Sequence, residues 1–215
     1  MICSSPFTRW LLPLLFLCLI SSASQAEQRI LLLGDSLSAS YGMDYKDGWV
    51  PRLQSLIDTQ HPGWTIINAS VSGETTGGAL ARLPRLLEEH QPDILWIELG
   101  GNDGLRGYPP PSIKANLLQM IDLATQAKAA VWLTQIKIPP NYGPRYTQSF
   151  EANYTQLADE RTLPLIPFIL TPVALKPELI MADGIHPKVE AQAQIADYVF
   201  EQIKDRLTME PASPL

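Results

Sequence analysis

Ile30-Leu31-Leu32-Leu33 is an unbroken aliphatic run that stops at Gly34-Asp35-Ser36. A strand with one wet face alternates apolar and polar residues. A strand apolar throughout is covered on both faces, as in parallel sheets. This run therefore favours a sheet with helices packed on both sides. It also puts Ser36 just outside the carboxyl end of a strand, where ligands sit in such sheets. Alone, a serine after a strand equally suits a helix cap or a turn.

The rest of the chain repeats strand and helix. Trp49, Val50, Leu53, Leu56 and Ile57 recur at helical spacing within 47–60, and Gln60-His61-Pro62-Gly63 closes that helix in a turn. Trp64 to Ala69 predicts a second strand, and Ala79 to Glu89 a helix carrying Leu80, Leu83, Leu86 and Leu87. A third strand follows at Ile94–Leu99, a helix at Ser112–Lys128 with Ser112 as cap, and a fourth strand at Ala130–Ile136. Lys137 to Tyr146 holds three prolines and a glycine and reads as a loop before a helix at Thr147–Glu160. Leu165–Phe168 is a fifth strand, with Pro167 suited only to an edge, and the last helix runs from Val189 to Leu207. The pattern predicts a three-layer α/β/α sandwich around a five-stranded parallel sheet, flavodoxin-like, with strand order 2-1-3-4-5.

Residues 1–26 read as a cleaved export signal rather than part of the fold. Arg9 is the only charge before the mainly apolar run Trp10 to Ile20, and small residues Ser24 and Ala26 stand where a signal peptidase cuts. The run is too short for a comfortable membrane span, so no stable anchor is expected. The remainder, 27–215, is one domain in a periplasmic or secreted protein. Cys3 and Cys18 both leave with the signal, which excludes disulfides, cysteine catalysis and thiolate metal ligands. A net charge of −6 with no basic run argues against a nucleic-acid partner.

Four strand or loop ends carry chemistry. They are Gly34-Asp35-Ser36, Ser72-Gly73-Glu74, Gly100-Gly101-Asn102-Asp103 and Asp183-Gly184-Ile185-His186-Pro187. Serine is a weak nucleophile until a base takes its proton, and that base needs an acceptor on its second nitrogen. Ser36, His186 and Asp183 supply those roles. An oxyanion needs fixed donors, for which the Ser36 N–H, the Gly73 N–H and the Asn102 amide are candidates. Each residue also has a plainer reading. Asp183 can cap the last helix or make an Asx turn, His186 can be a surface turn residue, Asn102 can bond its own loop, and Gly73 can supply a positive φ. Their joint occurrence in this order favours the catalytic set.

Other chemistries fit less well. His61 and His90 sit beside turns, and no metal-ligand spacing appears, so no metal or cofactor is expected. The glycines of 73–78 lack the lysine of a phosphate loop, and Ser38 occupies the second glycine position of a Gly-x-Ser-x-Gly elbow.

The four blocks together resemble the GDSL/SGNH hydrolase family, through Ser36, Gly73, Asn102 and His186, and the likeness runs from about Ile30 to Leu207. The resemblance implies hydrolysis of small-molecule acyl esters and thioesters, of arylesterase, lysophospholipase or acyl-CoA thioesterase type. It further implies a flexible loop at Thr75–Leu80 closing over the acyl chain. The groove wall would come from Leu105 to Tyr108, with Ile138 to Tyr142 opposite. Glu74 stands where aspartate is also familiar and is expected to leave Gly73 undisturbed. Two alternatives remain at this point: a carbohydrate acetylesterase of the same mechanism, and a non-catalytic binding protein. A neutral imidazole base predicts that kcat/KM falls as pH drops through roughly 6 to 7.

Overall fold

The computed structural model describes residues 27–208. The segment expected to be an export signal, both cysteines and the Pro211–Pro214 tail lie outside the described residues. Five strands, β1 (Gln28–Gly34), β2 (Trp64–Asn68), β3 (Ile94–Glu98), β4 (Ala130–Thr134) and β5 (Leu165–Ile166), form one parallel sheet in the order β2-β1-β3-β4-β5. The helices are α1 (Trp49–Gln60), α2 (Thr76–His90), α3 (Gly101–Leu105), α4 (Pro110–Gln126), α5 (Pro144–Arg161) and α6 (Gln192–Ile203). The expected sandwich and strand order are those observed.

The unbroken run in β1 feeds two cores. Ile30 and Leu32 pack with Trp49, Leu53 and Ile57 of α1 and Ile195, Val199 and Ile203 of α6. Leu31 and Leu33 point the other way, toward Leu83 of α2, Leu117 and Ile121 of α4, and Phe150 and Tyr154 of α5. Successive strand residues alternate faces, so apolar residues at every position serve both layers. Burying each such side chain contributes about 1.5–3 kcal/mol.

Several boundaries differ from expectation. The segment expected as a flexible loop at Thr75–Leu80 is the first turn of α2. Thr75 caps it, its hydroxyl accepting from the Gly78 N–H at 3.2 Å, and the buried Thr76 is bound to Asp103. Helix α4 starts at Pro110 rather than at a Ser112 cap, because proline is pre-shaped for a first helical position. Helix α5 likewise starts at Pro144, within the expected loop. Strand β5 stops at Ile166, before Pro167, and the last helix is α6 flanked by short 3-10 turns at Val189–Ala191 and Lys204–Arg206.

Candidate active site

The strands end on one edge of the sheet and the chemistry gathers there. After Gly34 the chain coils into a tight turn in which the Ala39 N–H donates to the Asp35 carbonyl at 2.9 Å and the Tyr41 N–H to the Ser36 carbonyl at 3.2 Å. The Trp49 indole N–H donates to the Leu37 carbonyl at 2.9 Å, tying this turn to α1. Ser36 thereby stands at the tip, half-buried.

His186 arrives on a loop closed at its base by the antiparallel bridge between Ile180 and Pro187. The Met181 N–H donates to the His186 carbonyl at 2.8 Å, and Gly184 turns the chain at φ +73°. Asp183 acts twice. Its Oδ1 accepts the Ile185 and His186 N–H groups at 2.9 and 3.0 Å, and its Oδ2 lies 2.7 Å from His186 Nδ1. Turn residue and imidazole partner, the two separate readings of Asp183, are met by two oxygens of one carboxylate. Slight burial alone pushes that carboxyl up, but the bonds from the His186 ring, then from the His186 and Ile185 N–H groups, outweigh it. They hold Asp183 down at about 2. On the far side of the ring, His186 Nε2 lies 2.8 Å from Ser36 Oγ, across 150 residues of sequence.

The two remaining blocks flank this chain. Val71 N–H donates to the Gly34 carbonyl at 3.1 Å, and Asn68 Nδ2 to the Ser38 carbonyl at 2.8 Å, so the second block is fastened to the Ser36 turn. Gly73 sits at φ +78°, a left-handed conformation that favours glycine. Arg106 donates to its carbonyl at 3.2 Å. Glu74 accepts from Arg82 of α2 at 2.7 Å. Asn102, on α3, donates through Nδ2 to Asp35 Oδ2 at 3.2 Å and keeps a second hydrogen on that nitrogen. Among the described residues, the Ser36 and Gly73 N–H groups donate to no protein acceptor.

The expected groove residues are partly brought together. Tyr142 donates its hydroxyl to the Leu105 carbonyl at 2.8 Å, and Tyr146 donates to the carbonyl of the exposed Tyr108 at 2.7 Å. Ile138 is only 7 % exposed, its Cγ2 2.8 Å from where a Cβ on Gly104 would stand. It supports α3 from beneath. A cleft of about 410 Å³ opens beside Tyr142 and Tyr146, lined also by Pro110 and Arg145. A second cleft of about 460 Å³, lined by Gln135, Lys137, Pro167 and Tyr198, includes none of the expected site residues. Among the described residues, no group of three or more His, Cys, Asp or Glu side chains is placed to hold a metal ion.

The comparisons with known proteins now decide the family. The GDSL-like Lipase/Acylhydrolase family matches residues 32–194. The chain belongs to that family. Membership, with the arylesterase and thioesterase relatives that follow, makes it an ester or thioester hydrolase. It is similar to an arylesterase of Vibrio mimicus, 49% identical over 193 residues, spanning 90% of this chain and 96% of the relative. It is 45% identical over 196 residues to thioesterase 1/protease 1/lysophospholipase L1 of Escherichia coli K12, spanning 91% and 93%. The psychrotrophic esterase EstA from Pseudoalteromonas, in a structure inhibited by monoethylphosphonate, superposes with a TM-score of 0.81 at 43% identity. That match covers 85% of this chain and all of EstA.

Sequence reasoning missed three residues around this acylhydrolase site. Tyr41 stacks on the His186 ring. Gln192, 2 % exposed, accepts the Trp49 N–H at 2.9 Å and donates to the Pro187 and Lys188 carbonyls at 3.3 and 3.2 Å, joining α1 to the histidine loop. Glu98 is buried behind the Ser36 turn. Only Glu98 left a signal, as a charge ending an otherwise apolar strand.

Proposed function

We propose that the chain is an exported serine esterase and thioesterase that works through an acyl-enzyme. The observation that carries this reading is the continuous chain from Asp183 through His186 to Ser36, with contacts of 2.7 and 2.8 Å. His186 Nε2 takes the Ser36 proton as Oγ attacks the acyl carbonyl, while Asp183 fixes the tautomer and balances the imidazolium. The Ser36 and Gly73 N–H groups and the Asn102 amide receive the oxyanion. When the tetrahedral adduct collapses, the C–O or C–S bond breaks and the leaving group departs with the proton from His186. Water then gives a proton to His186 as it attacks the acyl-serine carbonyl. When that adduct collapses the acyl C–Oγ bond breaks, His186 returns the proton to Ser36 Oγ, and the acid leaves. None of these steps calls on a cofactor.

Support for the substrate class comes from the relatives named arylesterase and thioesterase/lysophospholipase, which extend the range to thioesters and lysophospholipids. The proposed seat of the acyl chain is the side of the site where Tyr142 and Tyr146 hold Leu105 and Tyr108; of these four, Tyr142 and Tyr146 also line the cleft of about 410 Å³. The reading of 1–26 as an export signal supports a periplasmic or secreted location, with 27–215 as the mature domain.

Hydrolysis of p-nitrophenyl esters from acetate to long acyl chains tests the proposal, with Ser36→Ala alongside. Turnover retained beyond acetate by the wild type and lost by at least about 10³-fold in the variant is expected. Activity confined to acetate would contradict the substrate class, and an active Ser36→Ala would contradict the mechanism.

A further inference from the structure

Two carboxyl groups that the hydrolytic steps do not use are buried beneath the Ser36 turn. Asp35, 3 % exposed, accepts the Leu37 N–H on Oδ1 at 3.0 Å and Asn102 Nδ2 on Oδ2 at 3.2 Å. Glu98 is fully buried and lies opposite Gly34 in the β1–β3 register. Its Oε2 accepts the Ser38 hydroxyl at 2.7 Å. Its Oε1 has no partner among the described residues, and neither has the buried Ser70 Oγ. A Cβ on Gly34 would stand 2.7 Å from Ser70 Oγ and 2.9 Å from Glu98 Oε2, so these polar groups fill the space the glycine leaves.

We propose that Asp35 is a positioning residue whose carboxylate fixes which way the Asn102 amide faces, and that Glu98 supports it as a neutral acid. This rests on the reading of Asn102 as an oxyanion donor. An amide can rotate to exchange its oxygen and nitrogen, and a carboxylate only accepts. Facing Asp35, Asn102 must therefore present Nδ2, which leaves the second hydrogen of that nitrogen for an oxyanion. A neutral amide in place of Asp35 can donate as well as accept, which permits the flipped form and turns Oδ1 toward the developing negative charge.

Glu98 fits the role of neutral partner. A buried carboxylate oxygen without a donor is costly, and a proton removes the charge. Burial first, then the nearness of the Asp35 carboxylate, pushes Glu98 well up from its ordinary value, against the Ser38 hydroxyl and the Asp35 N–H, which favour its ionised form. Burial also raises Asp35, to about 6, against the Leu37 N–H, His186 and the Asn102 amide, which favour its ionised form, while Asp103 opposes it. With the proton on Glu98, the carboxylate next to Ser36 is the one that Asn102 and the imidazolium both favour.

The test is a double-mutant cycle on kcat and KM with Asp35→Asn, Asn102→Ala and the pair, in the full chain. Removing one oxyanion donor costs on the order of 10²–10³ in kcat. We expect Asp35→Asn to lower kcat about 10- to 100-fold at unchanged KM, and to cost less than about threefold more when added to Asn102→Ala. A wild-type kcat in Asp35→Asn, or losses that multiply in the double variant, would overturn the proposal. Gly101→Ala approaches the same contact without changing charge, its added carbon 3.1 Å from Asp35 Oδ2, and should lower kcat but not KM. An unchanged kcat there counts against the role of Asp35, whether or not Asp35→Asn folds. Glu98→Gln should keep a higher kcat than Glu98→Ala; equal losses would remove Glu98 from the account. If Asn102→Ala itself leaves kcat unchanged, the oxyanion reading fails. If only Asp35→Asn is silent, the positioning role alone fails.

Discussion

The Tyr41 ring lies stacked on the His186 imidazole, with centroids 4.2 Å apart and planes at 29°. Tyr41 belongs to the turn that carries Ser36, so the proposed nucleophile's own segment covers one face of the proposed base. It also offers an imidazolium a π face, which favours the charged ring formed during attack.

A stacked aromatic pair contributes about 0.5–1.5 kcal/mol beyond area burial. Tyr41→Ala is therefore expected to lower kcat/KM about two- to tenfold, with Tyr41→Phe close to wild type. Steady-state kinetics of the two variants check this. A Phe variant as poor as Ala would assign the effect to the Tyr41 hydroxyl instead.

Asp183→Asn separates the two duties of that side chain. The amide oxygen can still accept the Ile185 and His186 N–H groups, so the loop and the melting temperature should hold. Lacking the carboxylate on Nδ1, the imidazole loses its tautomer and counter-charge, and kcat should fall on the order of 10³- to 10⁴-fold. Asp183→Ala should lose stability as well as rate. Circular dichroism melts beside kinetics distinguish the two.

Gln192 joins the Trp49 N–H to the loop after His186. Gln192→Ala leaves that buried N–H and the Pro187 carbonyl unpaired, and should cost about 1–3 kcal/mol of stability in urea denaturation. Because the same loop carries His186, the proposed base, kcat should fall while KM changes little.

The exposed Asp183 and the buried Glu98 give stability an opposed pH dependence. Asp183 is depressed to about 2, so its contribution is present above the ordinary 3.8 and is lost as pH falls through 2. Glu98 is raised by burial above its ordinary 4.5, so the folded state holds a proton that the unfolded chain releases, and stability declines as pH rises beyond 4.5. Glu98→Gln removes that decline. Its stability relative to wild type should improve from pH 5 to pH 8 in urea titrations, and a constant difference would contradict a raised Glu98.

The sheet was legible because its strands are short, apolar and punctuated, and because Pro167 reveals the edge. Helix α3 was not, since Gly-Gly-Asn-Asp-Gly has poor helix propensity. The turn forms because Gly100 adopts φ +115° and because a Cβ on Gly104 would meet Ile138 and Phe150 at 2.8 and 2.9 Å. The first turn of α2 falls outside the helix expected at Ala79–Glu89 because Thr-Thr-Gly-Gly lacks apolar periodicity, and the family resemblance implied a flexible loop there. Its order comes from Asp103, whose carboxylate accepts both the N–H and the hydroxyl of Thr76, at 2.9 and 2.6 Å. The candidate site residues stand out as four motifs along the chain. Their supports, Tyr41, Glu98 and Gln192, act through contacts that only the folded chain creates.

The most direct test of the account is intact-mass analysis after treatment with a fluorophosphonate, comparing wild type with Ser36→Ala. A nucleophile activated by His186 at 2.8 Å should take up one phosphonyl group on the wild type and none on the variant, with turnover lost in step. A folded wild type that gains no mass, or a variant that gains as much, would contradict Ser36 as the residue that carries the acyl group.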